Sequence, residues 1–453
     1  MADLSGAAPG VASNSGSKEA RAAPYSSSYS YYVLAVFLLA SIVSVVDRSV
    51  LNVVLQPIKQ EFGVSDTVLG ALTGILFAAF FAVLGIPIAA WADRANRKNI
   101  LALAIALWSV MTAFCGLAGS LLMLIIGRVG TAVGEAGGAP PTQSLISDYF
   151  TQEKRATALS IYAMGATLGG MVGNLIGGWG NDLVGWRNTF IIAGAPGLLV
   201  ALLVFLTVRE PPRGISDRAA PAPATTKAPP FGQVLRHLWQ RRSFRHMSLA
   251  VAVQSFAIFG GAAFGPTYLN RTFDMLLSEA GSWLAGFTIF AAAGTLLGGV
   301  VADRLSTTCK DRRWYMWVPG WGALVIVPAQ LLVFLAPSFN YIPPAWIVMV
   351  ILGSSFLGPS YAMTQALVTP QMRAVAAAIL IFLTTVIGQG LGPIVVGALS
   401  DFLAPLSGVS SLRYAIAIVS LMNLWSVVHY FLAARTLRQD LDAVAQTRAE
   451  SAS

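Results

Sequence analysis

Four ionisable side chains lie inside stretches otherwise apolar enough to span a bilayer: Asp47, Arg48, Arg128 and Glu135. A charge held in hydrocarbon costs roughly 2.5–3.5 kcal/mol on insertion scales, so such groups face a partner or a wet cavity. Asp47 and Arg48 are neighbours, and on a helix their side chains point about 100° apart. They do not meet, so Arg48 needs another acceptor. Arg128 and Glu135 share one helix face but stand about 10 Å apart along the axis, where a direct bond would be stretched. By depth, Arg48 falls between Arg128 and Glu135. If the two spans pack side by side, the depths predict a network in which Glu135 bonds Arg48 with Asp47 alongside.

The chemistry open to such a network is proton exchange coupled to an anion. A carboxylate beside a movable arginine can change protonation state as the arginine comes and goes. Glu135, and after it Asp47, are the proton-coupling candidates, or the two as a coupled pair; Arg48 and Arg128 are candidates for contact with an anionic substrate group. The competing reading is a salt bridge that only fixes helix packing. Ion pairs are weak stabilising devices, because a packed hydrophobe often replaces one at no loss. The corresponding part of the second half of the chain carries no such charge, and a packing device has little reason to be one-sided.

The elements around this cluster must live in lipid. Of 453 residues, 56% are hydrophobic and 11% charged, against about a quarter charged in soluble domains. Twelve runs reach the roughly 20 apolar residues a crossing helix needs: 32–56, 68–91, 98–120, 122–147, 155–181, 188–208, 244–270, 279–304, 314–336, 341–369, 371–400 and 411–435. The predicted organisation is a disordered tail (1–28), a six-helix bundle (29–208), a linker (209–243), a second six-helix bundle (244–436) and a second tail (437–453). The linker is rich in Pro and Ala, and its Phe231–Trp239 stretch has the pattern of a short helix on a membrane surface.

Basic residues orient the chain. With the amino terminus cytoplasmic, 23 of the 29 Lys and Arg fall in cytoplasmic segments, a positive-inside bias. Both termini are then cytoplasmic. This placement accounts for the net charge of +9 without nucleic-acid binding. Two cysteines make no disulfide framework, and three histidines show no metal-ligand spacing; no metal or cofactor is expected.

The halves echo each other. Asp93-Arg94 recurs as Asp303-Arg304, and Arg155 as Arg373. Gly169, Gly173, Gly178 and Asp182 recur as Gly388, Gly392, Gly397 and Asp401, all at an offset of 219 residues. Duplicated halves are an architecture of secondary transporters, with the substrate site near mid-membrane between them. Gly165, Gly169, Gly173 and Gly177 form a stripe at steps of four, which permits close helix approach and could be either a sliding surface between the halves or simple packing.

On these features the chain resembles the major facilitator superfamily. Its Gly-x-x-x-Asp-Arg-x-Gly-Arg-Lys signature reads here Ala89-Ala90-Trp91-Ala92-Asp93-Arg94-Ala95-Asn96-Arg97-Lys98, with both glycines replaced. Within the superfamily it is most similar to the Spinster-like proteins, through Val46-Asp47-Arg48, Gly127-Arg128 with Gly134-Glu135-Ala136, and the Asp-Arg-Ala-Asn-Arg-Lys loop. The resemblance implies an all-α membrane protein, twelve helices in two pseudo-symmetric bundles, and alternating access. It also implies lysophospholipid or sphingoid-type substrates, and that spans 1 and 4 line the cavity. The Asp-Arg loop implies a conformational gate in which Asp93 caps the start of span 11. Arg94 and Arg97 are expected to pair with Asp148 or Glu153 only when the cytoplasmic side closes, with Asp303 and Arg304 acting similarly.

The second half offers aromatic and polar lining candidates in Phe256, Phe259, Tyr268, Tyr361 and Gln365, besides Phe264, Trp283 and Phe287. A charged half facing an apolar half suits an amphiphile. The leading expectation is therefore a proton-coupled transporter of an amphipathic lipid, a monomer in a bacterial plasma membrane, with protons, an amphiphile and the bilayer as its partners. The alternative is a proton-coupled symporter of a small organic anion held by Arg48 and Arg128. An intramembrane enzyme or sensor is more remote. The chain has no His-Glu-x-x-His, Gly-x-Ser-x-Gly or phosphate-binding Gly-x-x-x-x-Gly-Lys-Ser/Thr motif, and no soluble output domain.

Overall fold

The computed structural model describes residues 25–92, 94–213, 215, 230–369 and 372–450. Among these, ten helices are long and apolar enough to cross a membrane, and two of them, of 56 and 72 residues, are long enough to cross twice. The first of the two, Gln152–Thr207, turns back at Gly185, whose φ of 80° is open to glycine at little cost. The second turns between Ser407 and Ser411, at Gly408 with φ 55°. Twelve crossings result.

In chain order, span 1 is Ser27–Val53, continued by Leu55–Phe62, and span 2 is Asp66–Thr73 with Ile75–Ala92. Span 3 is Arg97–Gly116, and span 4 is Leu121–Ala136 with Ala139–Tyr149. Spans 5 and 6 share Gln152–Thr207. A short helix, Phe231–Gln240, follows. Span 7 is Arg242–Ala263 with Gly265–Phe273, span 8 Leu277–Thr308, and span 9 Trp314–Leu335. Span 10 is Ile342–Ser354 with Leu357–Ala366. Span 11 runs from Arg373 to Ser407 through a π-helical stretch, Thr384–Leu391. Span 12 is Ser411–Ser420 with Met422–Glu450. An even number of crossings puts the start of span 1 and the end of span 12 on one face, called here the termini face; the other is the far face.

The packing of apolar side chains gives the molecule its shape. Two clusters lie toward the termini face, and each belongs to one half: Val33, Phe37, Trp108 and Tyr149 sit in one, Phe244, Met316, Phe356 and Tyr430 in the other. The third, toward the far face, draws on both halves, joining Leu51, Leu55, Leu72 and Phe190 to Phe264, Tyr268, Phe334 and Ile416. The halves thus share a core at one end and keep separate cores at the other. Val234 and Leu238 anchor Phe231–Gln240 in the second half's cluster, while Phe231 and Trp239 stay exposed.

The glycine stripe of span 5 does not face the other half. A Cβ on Gly165, Gly169, Gly173 or Gly177 would collide with Ser41, Ile42, Val46 or Val53 of span 1. The stripe is packing within one half. The close approaches between halves use other glycines: Gly178 against Leu277, Gly281 against Asn174, Gly70 against Pro393, and Gly397 against Asp66.

Near the termini face Asp311 ties span 9 to span 12 by pairing with Arg313 and Arg438. Burial opposes its ionisation, but the hydrogen bonds from Arg313 and Arg438 prevail and hold the carboxyl at about 2. The stabilisation is complete above the ordinary carboxylate range and is lost only as pH falls through about 2, so this brace does not sense pH near neutrality.

Neighbouring residues of span 8 test the packing. Gly298 lies against the backbone of Ser355, whereas nothing stands within 4 Å of a Cβ on Gly299. Gly298→Val is expected to destabilise the purified protein by about 1–3 kcal/mol, the usual cost of overpacking, with Gly299→Val unchanged; thermal unfolding in detergent measures both.

Candidate functional site

Span 4 breaks where its chemistry sits. The helix ends at Ala136, and Pro140 and Pro141 open the next segment; a proline has no N–H to continue a helix ladder. Glu135 therefore occupies the last turn before a break. Span 7 breaks at Phe264, ahead of Pro266, and span 10 at Ser355 and Phe356. Discontinuous helices are where transporter folds build sites.

The four charges form two pairs. Arg48 meets Glu135 at 3.0 Å, and Ser44 donates to the same carboxylate oxygen at 3.0 Å. Asp47 does not sit alongside them. It accepts from Arg128 at 2.8 Å and from Thr112 of span 3 at 2.7 Å. The 100° between Asp47 and Arg48 sends each to a different partner on span 4. Arg128 and Asp47 are sealed, with side chains 1% and 2% exposed, whereas Arg48 is 36% exposed and Glu135 2%. Phe77 of span 2 lies under both guanidinium groups, 5.1 Å from Arg48 and 6.0 Å from Arg128, a cation–π arrangement. Sequence reading missed Phe77 and Thr112, which carry no signal apart from their neighbours. Glu135 Oε1 is buried with no hydrogen-bond partner among the described residues.

A cavity of about 420 Å³ opens between the halves. The first half contributes Ser49, Asn52 and Asn174; the second contributes Phe259, Phe287, Phe334 and Trp346, with Gln330 and Thr288. Polar groups on one side thus face aromatic groups on the other. Of the expected lining residues Phe259 and Phe287 are present and the rest are placed elsewhere. Tyr268 is fully buried behind the wall, its ring against Phe334 and Trp346 and its hydroxyl on the Val333 carbonyl. Phe256 packs into the shared core, Tyr361 against the second half's own core, and Gln365 is exposed. Arg128 is held by Asp47 away from any opening. These corrections share one cause: sequence gives the span and not the rotation of the helix about its axis.

The expected gate residues also resolve differently. Arg97 is 2% exposed and bonds Asp148, Ser144, Glu210 and the Pro211 carbonyl, all within the first half. Glu210 also accepts from the Lys98 N–H at 2.9 Å. This knot joins spans 3 and 4 to the chain leaving span 6. The expected Arg97–Asp148 pair is present, and none of the knot's partners belongs to the second bundle. Arg94 and Arg304 are exposed, and Asp303 accepts from Tyr315. Asp93 lies outside the described residues.

Among the described residues, the bonds that join the halves are at the far face. Asp401, ending span 11, accepts the N–H groups of Asp66 and Thr67 at 2.9 and 2.8 Å, where span 2 begins. Asp182, ending span 5, accepts the N–H of Ser278 at 2.8 Å, where span 8 begins. Each carboxylate satisfies the free N–H groups and the positive end of a helix in the other half. Arg271 of span 7 forks onto both oxygens of Asp66 at 2.7 and 2.8 Å, with Lys59 and Ser400 on the same carboxylate. The pair that recurs at 219 residues is therefore a two-fold latch. The repeat marked it in sequence, but its role was invisible there.

Residues 37–310 match the family model of the Major Facilitator Superfamily. An "MFS-type efflux pump" of Mycolicibacterium smegmatis is 33% identical over 408 residues, covering 90% of this chain and 93% of that protein. The chain belongs to the major facilitator superfamily. It is Spinster-like within it. Human "Protein spinster homolog 1" is 27% identical over 390 residues, covering 82% of this chain and 72% of that protein. A bacterial homologue of the human lysosomal transporter Spinster, solved in an inward-facing and unoccupied conformation, superposes with a TM-score of 0.84 at 35% identity, covering 92% of this chain and 99% of that one. This superfamily member is a membrane transporter and not an enzyme.

Loss of one partner from a buried ion pair leaves the other uncompensated, at about 3–5 kcal/mol. Asp66→Asn is therefore expected to part the far-face ends of the two halves, read as a longer distance between spin labels on their far-face loops. Asp311→Asn, within one half, is expected to leave that distance unchanged.

Proposed function

We propose that this transporter carries an amphipathic lipid, of lysophospholipid or sphingoid type, and couples its passage to protons. The observation that supports this most directly is the two-sided cavity, with Asn52 and Asn174 opposite Phe259, Phe334 and Trp346. A charged or polar head fits the first side and a hydrocarbon tail the second. The proposed orientation puts the termini face in the cytoplasm, in keeping with the basic residues gathered there. The state described is then inward-facing, with the far-face latch shut.

The proposed cycle uses the half-exposed pair. Arg48 is the cation a substrate's anionic group can reach; Arg128 is already taken. When the substrate draws Arg48 away, Glu135 is left in a dry setting with one oxygen free of partners, and binds a proton. Neutralising the buried charge removes the cost of carrying it through a rearranged core. The halves can then rock, which requires the carboxylates of Asp182 and Asp401 to leave the starts of spans 8 and 2. Asp47 and Arg128, sealed with Thr112, hold spans 1, 3 and 4 together during this exchange, with Asp47 as the second proton candidate. Asp93, Arg94, Asp303 and Arg304 are proposed to form the opposing contacts when the termini face closes.

In proteoliposomes with an imposed pH gradient, Glu135→Gln is expected to abolish the dependence of lipid transport on the gradient, and Arg48→Ala to lower transport at least about tenfold, the loss of one charge-assisted contact. Unchanged pH dependence in both Glu135→Gln and Asp47→Asn would sink proton coupling at this site. A series of substrates with growing tails separates the lipid from the small-anion reading. Each added methylene buried in the aromatic side is worth about 0.8 kcal/mol, so affinity is expected to climb with length, whereas a carrier of small anions would ignore it.

A further inference from the structure

A second cavity, of about 540 Å³, lies between spans 7, 11 and 12 toward the termini face. It is separate from the cavity between the halves and shares no residue with it. One part of its wall is basic: Arg242, Arg245, His246 and His429. The other is aliphatic: Leu249, Ala252, Leu383 and Ile387. Trp239, at the end of the short surface helix, closes the rim and is 54% exposed. We infer that this cavity binds an anionic phospholipid, its phosphate on the basic part and the start of its acyl chains on the aliphatic part.

Four observations carry this. Arg242 and Arg245 are exposed, and neither forms an ion pair among the described residues. The nearby carboxylate, Asp440, is taken up by the Ser243 N–H and hydroxyl at 2.8 and 2.6 Å. His246 and His429 meet Nδ1 to Nδ1 at 2.9 Å with rings stacked 5.1 Å apart. One nitrogen donates and the other accepts, which fixes both rings and leaves the Nε2 atoms for other partners. The surroundings are lipid-facing: Leu249, Trp425 and Val428 are 38%, 50% and 54% exposed and apolar. A soluble anion would have no use for the aliphatic part, and a neutral lipid none for two free guanidinium groups. Basic pockets between spans beside an interfacial helix are where anionic headgroups bind.

The position gives the lipid a task. Leu383 borders and Ile387 lies within the π-helical stretch of span 11, whose Gly388 packs on span 7 and whose Gly390 touches Ala78 of span 2. A bound lipid leans on the same helix that ends in the latch carboxylate Asp401.

The test uses the full-length protein in detergent, with native mass spectrometry and thermal unfolding, against phosphatidylglycerol, phosphatidylcholine and inorganic phosphate. The wild type is expected to retain phosphatidylglycerol in preference to phosphatidylcholine and to be stabilised by it, with no effect of phosphate alone. Arg242→Gln with Arg245→Gln is expected to reduce that preference about thirtyfold, and Arg242→Lys with Arg245→Lys to keep most of it, which separates lost charge from lost folding. Lys310→Gln with Arg312→Gln removes equal charge from the same face and is expected to change nothing. Preference surviving the first double substitution, equal loss in the control pair, or equal stabilisation by inorganic phosphate would each overturn the assignment.

Discussion

The first N–H groups of a helix have no partner within it, and the starts of spans 2 and 8 pack against the opposite half. Asp401 and Asp182 supply the missing acceptors, each from a helix that belongs to the other bundle. Helix-end satisfaction and half-to-half closure are thereby one interaction. Anything that opens the far face must leave these N–H groups exposed to something else, which in practice means water entering a cleft. The requirement explains why the glycines nearest each carboxylate, Gly178 and Gly397, press directly on the backbone they cap: the helices must come close enough for a carboxylate of ordinary length to reach.

The same economy of partners governs the interior. Every buried charge near mid-membrane has an opposite, but the two pairs are unequal. Asp47 and Arg128 are sealed and supported by Thr112, and make a joint between spans 1, 3 and 4. Arg48 and Glu135 sit at a helix break, with Arg48 36% exposed and, among the described residues, one carboxylate oxygen unpartnered. A sealed pair resists rearrangement, because separating it strands two charges in low dielectric. A pair with one exposed member is free of that constraint. The charges are thus unequal within one half as well as between halves.

The distribution of apolar cores completes the picture. One core shared at the far face and two private ones at the termini face make a body that can hinge about its middle without unpacking either bundle. The Arg97 knot belongs to one bundle's rigidity, since all its partners move with it. Latch and knot are both networks of charge at a membrane surface; what distinguishes them is whether their partners lie on one body or two.

The amino-acid sequence by itself determined the twelve crossings, the duplicated halves, the family likeness and the identity of the four intramembrane charges. These follow from composition, period and spacing, which are properties of a linear chain. The meeting of Arg48 with Glu135 was legible once the family likeness placed spans 1 and 4 together, because depth along an axis is counted in residues. Tertiary structure alone decided that Asp47 turns to Arg128, that Tyr268 stands behind the cavity wall while Phe259 faces it, and that the glycine stripe of span 5 meets span 1 and not the other half. It alone turned Asp182 and Asp401 from repeat markers into a latch. The reason is common to all of these: the rotation of each helix about its axis, and the face it offers to a neighbour far away in sequence, are set by the packing of all the helices together.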